Sequence, residues 1–158
     1  MTTLRLLTFL PMVLFLGCTT VATRQYRADE EQKILQNVLL AEMEVRDTNR
    51  VVFVAIRQAD GSHIDPPDAV ISTIRAAGIP ARKASQSTRD EHTAVIDRGG
   101  GQPGIIYYAG VLRWLSNSKV NVVSGSDVAF LGGGFTEFTM EKRQGNWIRT
   151  KTKRRVLI

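Results

Sequence analysis

Hydrophobic residues follow three rhythms along the chain. From Leu6 to Leu16 they form a nearly unbroken apolar run, interrupted by Thr8 and Pro11. Residues 19–28 are polar and unpatterned, which reads as a short tether. From Asp29 onward the period becomes helical: Ile34, Leu35, Val38, Leu39, Ala41 and Val45 recur at the spacing of one buried helix face. Asp29 is the expected N-cap, with Glu30 and Glu31 at the positive helix end and Gln32 at the capping-box position. The helix is expected to fade around Asp47 to Asn49.

The rhythm then changes to that of strands. Val51 to Ile56 is a continuous, largely β-branched run, the pattern of a strand buried on both faces. Asp65-Pro66-Pro67-Asp68 predicts a second helix start, with Asp65 as cap, Pro66 at the first helical position and Asp68 two residues on. Val70, Ile71 and Ile74 would face inward, and Gly78 with Pro80 would end that helix. From Ala81 apolar residues alternate, predicting strands near 81–86, 92–97, 105–115, 119–130, 135–143 and 147–157. Arg98 to Gly104, Ser116-Asn117-Ser118, Leu131 to Gly134 and Gln144-Gly145-Asn146 carry the turn signals between them. Short links favour antiparallel neighbours, because parallel ones need long crossovers. The expected fold is α+β: an antiparallel meander of five to six strands packed against one long N-terminal helix and one short helix. The expected division is residues 1–17 as a signal, 18–28 as a tether and 29–158 as a single domain.

Composition narrows this picture. With 158 residues, 43% of them hydrophobic and 23% charged, the chain can hold one ordinary core and is neither disordered nor collagenous. One cysteine excludes an internal disulfide framework, and with two histidines it excludes a Cys/His zinc cluster. The net charge of +6 admits an acidic partner. No cofactor is implied.

The N-terminal run is too short to span a bilayer, which takes about 20 residues, and it fits the apolar region of a secretory signal. Leu14-Phe15-Leu16-Gly17-Cys18 closes it. These residues resemble the lipobox of bacterial lipoproteins, in which a small residue precedes the cysteine that is lipidated. Gly17 and Cys18 match that pattern, whereas Phe15 stands where leucine is usual. The resemblance implies cleavage after Gly17 and lipidation of Cys18 with a diacylglyceryl group and commonly an amide-linked acyl chain. Two or three chains anchor stably where one does not. Thr19 is not the aspartate that retains such proteins at the inner membrane. The resemblance thus implies the periplasmic face of the outer membrane in a Gram-negative cell. The order of elements, with the closing segment Phe138 to Ile148, resembles cystatin-like and nuclear-transport-factor-2-like domains. That resemblance implies a curved sheet wrapped on a helix.

Candidate chemistry is sparse. His63 lies near Asp65, and His92 follows Asp90 and Glu91, pairings that can orient an imidazole base. Neither joins a nucleophile motif or a metal-ligand spacing, so both read as solvated loop groups and no catalytic or metal site is assigned. Asp97-Arg98-Gly99-Gly100-Gly101 has the look of a phosphate loop, yet it leads into a strand rather than a helix and no Gly-Lys-Ser/Thr follows. It reads as a flexible connection. Tyr107, Tyr108, Trp114 and Trp147 fall on strands and read mainly as core; Tyr107 and Tyr108 must point to opposite faces.

The C-terminal segment is more informative. In an extended strand Arg149, Lys151, Lys153 and Arg155 share one face, with Trp147 at its head. Such a stripe suits anionic lipid, an acidic cell-wall polymer or an acidic protein, or serves as a solvated edge that resists aggregation. Nucleic acid is not expected for an exported protein. The functional expectation is a non-enzymatic binding or scaffolding module held in the cell envelope through lipidated Cys18. The alternatives are a small-ligand-binding protein or small enzyme with a pocket between sheet and helix, or an immunity-type inhibitor.

Overall fold

Val51–Arg57, the continuous apolar run, forms β1, and every residue between its two ends is buried. It lies inside a seven-stranded mixed sheet seen in the computed structural model, which describes residues 11–44, 49–129 and 132–157. The remaining strands of this sheet are β2 (His63–Ile64), β3 (Arg82–Lys83), β6 (Gly104–Ser116), β7 (Lys119–Ala129), β8 (Gly132–Arg143) and β9 (Asn146–Leu157). Their order is β2-β1-β6-β7-β8-β9, with β3 sharing the outer edge of β1. A separate two-stranded sheet pairs β4 (Ser87–Arg89) with β5 (Val95–Asp97). Two helices complete the fold, α1 (Pro11–Glu42) and α2 (Asp68–Ala76).

The fold is α+β, and strands β6 to β9 form an antiparallel meander of four strands where five to six were expected. Two features differ from expectation. The strand count exceeds five to six, because β2 and β4 are too short to leave an alternation signal. The expected strand 81–86 is instead β3 followed by a 3-10 turn at Ala84–Gln86. Thr93 takes a left-handed φ of 64°, so the strand expected from 92 begins only at Val95. The second difference is direction: β1 pairs with β6 in parallel, Val52 opposite Ile105 and Val54 opposite Tyr107. The long intervening segment, which contains α2, supplies the crossover that parallel pairing needs.

The helix starts also differ. α1 runs straight through Asp29, which accepts a bond from Gln25 Nε2 at 2.9 Å one turn earlier instead of capping the helix. Residues 19–28, read as a tether, are helical; they hold no glycine or proline to stop propagation. The first ten residues of the expected signal, the side chain of Cys18 and the expected fade-out at Asp47 lie outside the described residues. α2 starts at Asp68 after Pro67, and Asp65 is not its cap. Asp65 instead accepts the Ser85 backbone N–H at 2.9 Å and the Ser85 hydroxyl at 2.6 Å. Gly78, with φ +80°, ends α2 as expected.

The core forms where α1 and α2 lie on one face of the sheet. Ile34, Leu35, Val38, Leu39 and Met43 of α1 meet Val52, Val54 and Ile56 of β1, Tyr107 of β6 and Phe138 and Met140 of β8. Gln36 Nε2 donates to Thr73 Oγ1 at 2.9 Å and so ties the two helices. Among the described residues no helix is long and apolar enough to cross a membrane.

Two glycines take geometry that a side chain disfavours or blocks. Gln144 and Gly145 both have positive φ, 50° and 85°, as the tight two-residue turn between β8 and β9 requires. At Gly125 a Cβ would fall 2.0 Å from the Gly134 carbonyl oxygen and 2.8 Å from the Tyr108 hydroxyl. The missing side chain lets the Tyr108 ring lie across β7 and its hydroxyl donate to Gly134 O at 3.1 Å.

Candidate functional site

Strand β9 forms one edge of the sheet, and its residues from Ile148 to Arg155 are all exposed. It carries Arg149, Lys151, Lys153, Arg154 and Arg155 and no acid. The sequence expectation placed four of these on one face, and the register overturns that. Arg149 stands opposite Met140 and Lys151 opposite Thr139, two consecutive residues of β8 that point to opposite faces. Irregularities between Thr139/Met140 and Glu137/Phe138 break the alternation, and Lys153 falls at the second of them. Arg155, opposite Thr136, returns to the helix-covered face with Arg149. The basic residues therefore surround the edge instead of lining one side.

Their environments are unequal. The Arg149 guanidinium lies 4.2 Å from the centre of the buried Phe138 ring and donates to Thr152 Oγ1 at 3.2 Å, so it covers core. Arg154 lies 5.5 Å from the Phe135 ring on the other face. Among the described residues Lys151, Lys153 and Arg155 form no ion pair and present charge to solvent. Arg155 also borders an open depression of about 320 Å³ at the C-terminal end of α1, where Glu42 accepts the Ser124 hydroxyl at 2.5 Å.

The strand begins at a buried anchor that sequence reading missed. Glu30, 3% exposed, receives Trp147 Nε1 at 2.8 Å, Lys142 Nζ at 2.7 Å and Lys33 Nζ at 2.8 Å. Burial pushes its pKa up, but the bonds from Lys142, Lys33 and Trp147 outweigh that and hold the carboxyl at about 2. Trp147 packs edge-on against Trp114, ring centres 5.7 Å apart. Just before Glu30, Tyr26 donates to Asn117 O at 3.4 Å, and Lys142 Nζ lies 5.4 Å from its ring. The acidic pattern around Asp29 read as a helix cap because a carboxylate at a helix start and one bound across the fold look alike in sequence.

The other candidates are scattered. His63 stacks on Tyr108, ring centres 4.7 Å apart, and burial together with the Arg57 and Arg89 charges lowers its pKa against the pull of Asp127. Arg57 lies 5.4 Å from the Tyr108 ring and 5.2 Å from Phe135, and Arg89 pairs with Asp127. Burial raises the Tyr108 pKa. His92 is 82% exposed beside Glu91. Asp90 braces its own turn through the His92 and Ala94 N–H groups. Among the described residues no three His, Cys, Asp or Glu side chains converge as metal ligands. Tyr107 and Trp147 belong to the core that fills the space between helices and sheet. Comparison with protein families, with curated proteins and with solved structures finds no match to this chain.

Proposed function

We propose that the chain is a lipid-anchored module of the bacterial cell envelope that binds an anionic surface through its last strand and performs no catalysis. The observation that carries this reading is β9: five cations without one acid on an exposed sheet edge. Attachment is assigned to Cys18, by the likeness of residues 14–18 to a lipobox and the short apolar run before it. Tyr26 and Glu30 fasten α1 to the end of the sheet where β9 begins, so the anchored terminus and the basic strand are joined by a fixed path. The packed helix–sheet core favours a binding surface over an internal substrate pocket.

The mechanism is tethering plus charge. Confinement at the envelope raises the local concentration of the module, and each cation near an anionic membrane surface contributes about 1 kcal/mol. The expected address is the periplasmic face of the outer membrane if the cell is Gram-negative. Metabolic labelling with a radioactive fatty acid tests the anchor: wild type incorporates label, and Cys18→Ser does not. Undiminished labelling of Cys18→Ser overturns it.

A further inference from the structure

Away from β9, three arginines from separate parts of the chain border one cleft of about 460 Å³. Arg75 comes from α2, Arg82 from β3, and Arg98 from the glycine-rich connection after β5. Each guanidinium is held by a side-chain hydrogen bond. Arg75 Nε donates to Ala81 O at 2.9 Å, Arg82 Nη1 to Asp97 Oδ1 at 2.8 Å, and Arg98 Nη2 to Ser87 O at 3.2 Å. A guanidinium has five N–H donors, so each keeps most of its capacity. Asp97, 7% exposed, is the one carboxylate on the cleft wall and is engaged by Arg82. Gln86, also on the wall, adds an amide with no bond to another described residue.

We infer that this cleft binds a phosphate group. Three guanidiniums outnumber the one carboxylate on the wall and the Asp65 carboxylate held just behind it by Ser85, and this excess of positive charge favours a phosphate oxyanion. Holding like charges around one hollow is unfavourable by itself, and an oxyanion accepting several of the spare N–H donors relieves that cost. Arginine forks suit the several acceptor oxygens of phosphate. The volume lies within the usual range for small-molecule sites, about 300–1,000 Å³, so the phosphate can belong to a larger molecule. This site differs from the P-loop pattern that Asp97 to Gly101 evokes, because the donors are side chains and no helix follows the glycines. Asp97 instead fixes Arg82 and lies under the glycines: a Cβ on Gly100 would be 3.2 Å from its Oδ2.

The phosphate has two possible sources, a soluble phosphomonoester or a lipid headgroup, and the test separates them. The full chain in detergent is titrated with glycerol 3-phosphate by calorimetry, and separately with mixed micelles of detergent and phosphatidylcholine with and without phosphatidic acid. The variants are Arg75→Gln, Arg98→Gln and their double; Arg82 is left intact because it pairs with buried Asp97. The expected result is saturable binding by wild type to one probe, weakened several-fold by each single variant and at least tenfold by the double. Binding to glycerol 3-phosphate that the arginine variants weaken assigns a soluble ligand, and arginine-dependent binding to phosphatidic acid alone assigns a headgroup. Should the double variant melt well below wild type, the two single variants decide. Absence of saturable binding to both probes, or wild-type affinity in the variants, overturns the proposal. The arginine variants are also measured in a chain carrying Lys151→Glu with Lys153→Glu, where the arginine-dependent binding to either probe persists, so this site and the β9 surface stand or fall separately.

Discussion

The Glu30 carboxylate accepts a 2.8 Å hydrogen bond from the Trp147 indole across 117 positions of sequence, and both residues are buried. This contact clamps α1 onto the β8–β9 hairpin. With Lys142 and Lys33 on the same carboxylate, the charge is neutralised and its lone pairs are used. A buried carboxylate is tolerable only under those conditions.

Removing the clamp is therefore costly. Glu30→Ala leaves the Trp147 N–H without its acceptor and Lys142 without its ion-pair partner, and should destabilise the fold by about 3 kcal/mol. Urea unfolding followed by tryptophan fluorescence measures it. A loss below about 0.5 kcal/mol, the level of an ordinary surface change, contradicts the assigned role.

The same carboxylate gives stability a pH dependence. Its pKa of about 2 in the folded chain lies below the usual 4.5, so its contribution is fully present above pH 4.5 and is lost as pH falls toward 2. Urea midpoints recorded between pH 7 and pH 2.5 should decline in that window. Glu30→Gln should flatten this part of the decline; an unchanged profile in Glu30→Gln assigns it to other groups.

Gly125 predicts a steric effect. Gly125→Ala drives a methyl group to 2.0 Å from the Gly134 carbonyl oxygen, so β7 and β8 must part or shift. The expected loss is about 3 kcal/mol, at the upper end for overpacked sites. Tyr108→Phe, which removes only the hydroxyl bond to Gly134 O, should cost about 1 kcal/mol. Equal losses in thermal melts of the two variants would show that the glycine is not needed for close approach.

The residues of β9 should separate by function. Lys151→Glu with Lys153→Glu, in a chain that begins at Thr19, should weaken binding to anionic vesicles at least tenfold and change stability by under about 0.5 kcal/mol. The difference should shrink in 1 M salt, where the Debye length is about 3 Å. Arg149→Ala should instead cost about 1 kcal/mol of stability, because its guanidinium covers Phe138. Equal vesicle binding by wild type and the double reversal would leave β9 a solvated edge.

Elements whose signals are local were legible in the sequence. The strands expected from 105 onward, the turns at Asn117 and Gly145 and the inward residues of α2 lie where periodicity and turn chemistry put them, whereas Gly132 to Gly134, expected in a turn, belong to β8. Periodicity and φ preferences act within a few residues, so a single sequence carries them in full. The basic character of β9 is likewise a property of sequence alone.

What tertiary structure decided is everything that depends on residues far apart in the chain. The pairing of Val52 with Ile105 is parallel because a crossover lies between them, which no local pattern encodes. The irregularities opposite Glu137/Phe138 and Thr139/Met140 send Arg149 and Lys151 to different faces, since one extra residue reverses a period of two. Asp29 has the residue type of a cap but sits inside a helix, because nothing before it halts propagation. Glu30 finds Trp147, and Arg75, Arg82 and Arg98 meet around one cleft, only when the chain closes on itself. Such contacts depend on summed packing of distant segments, which position along the chain does not record.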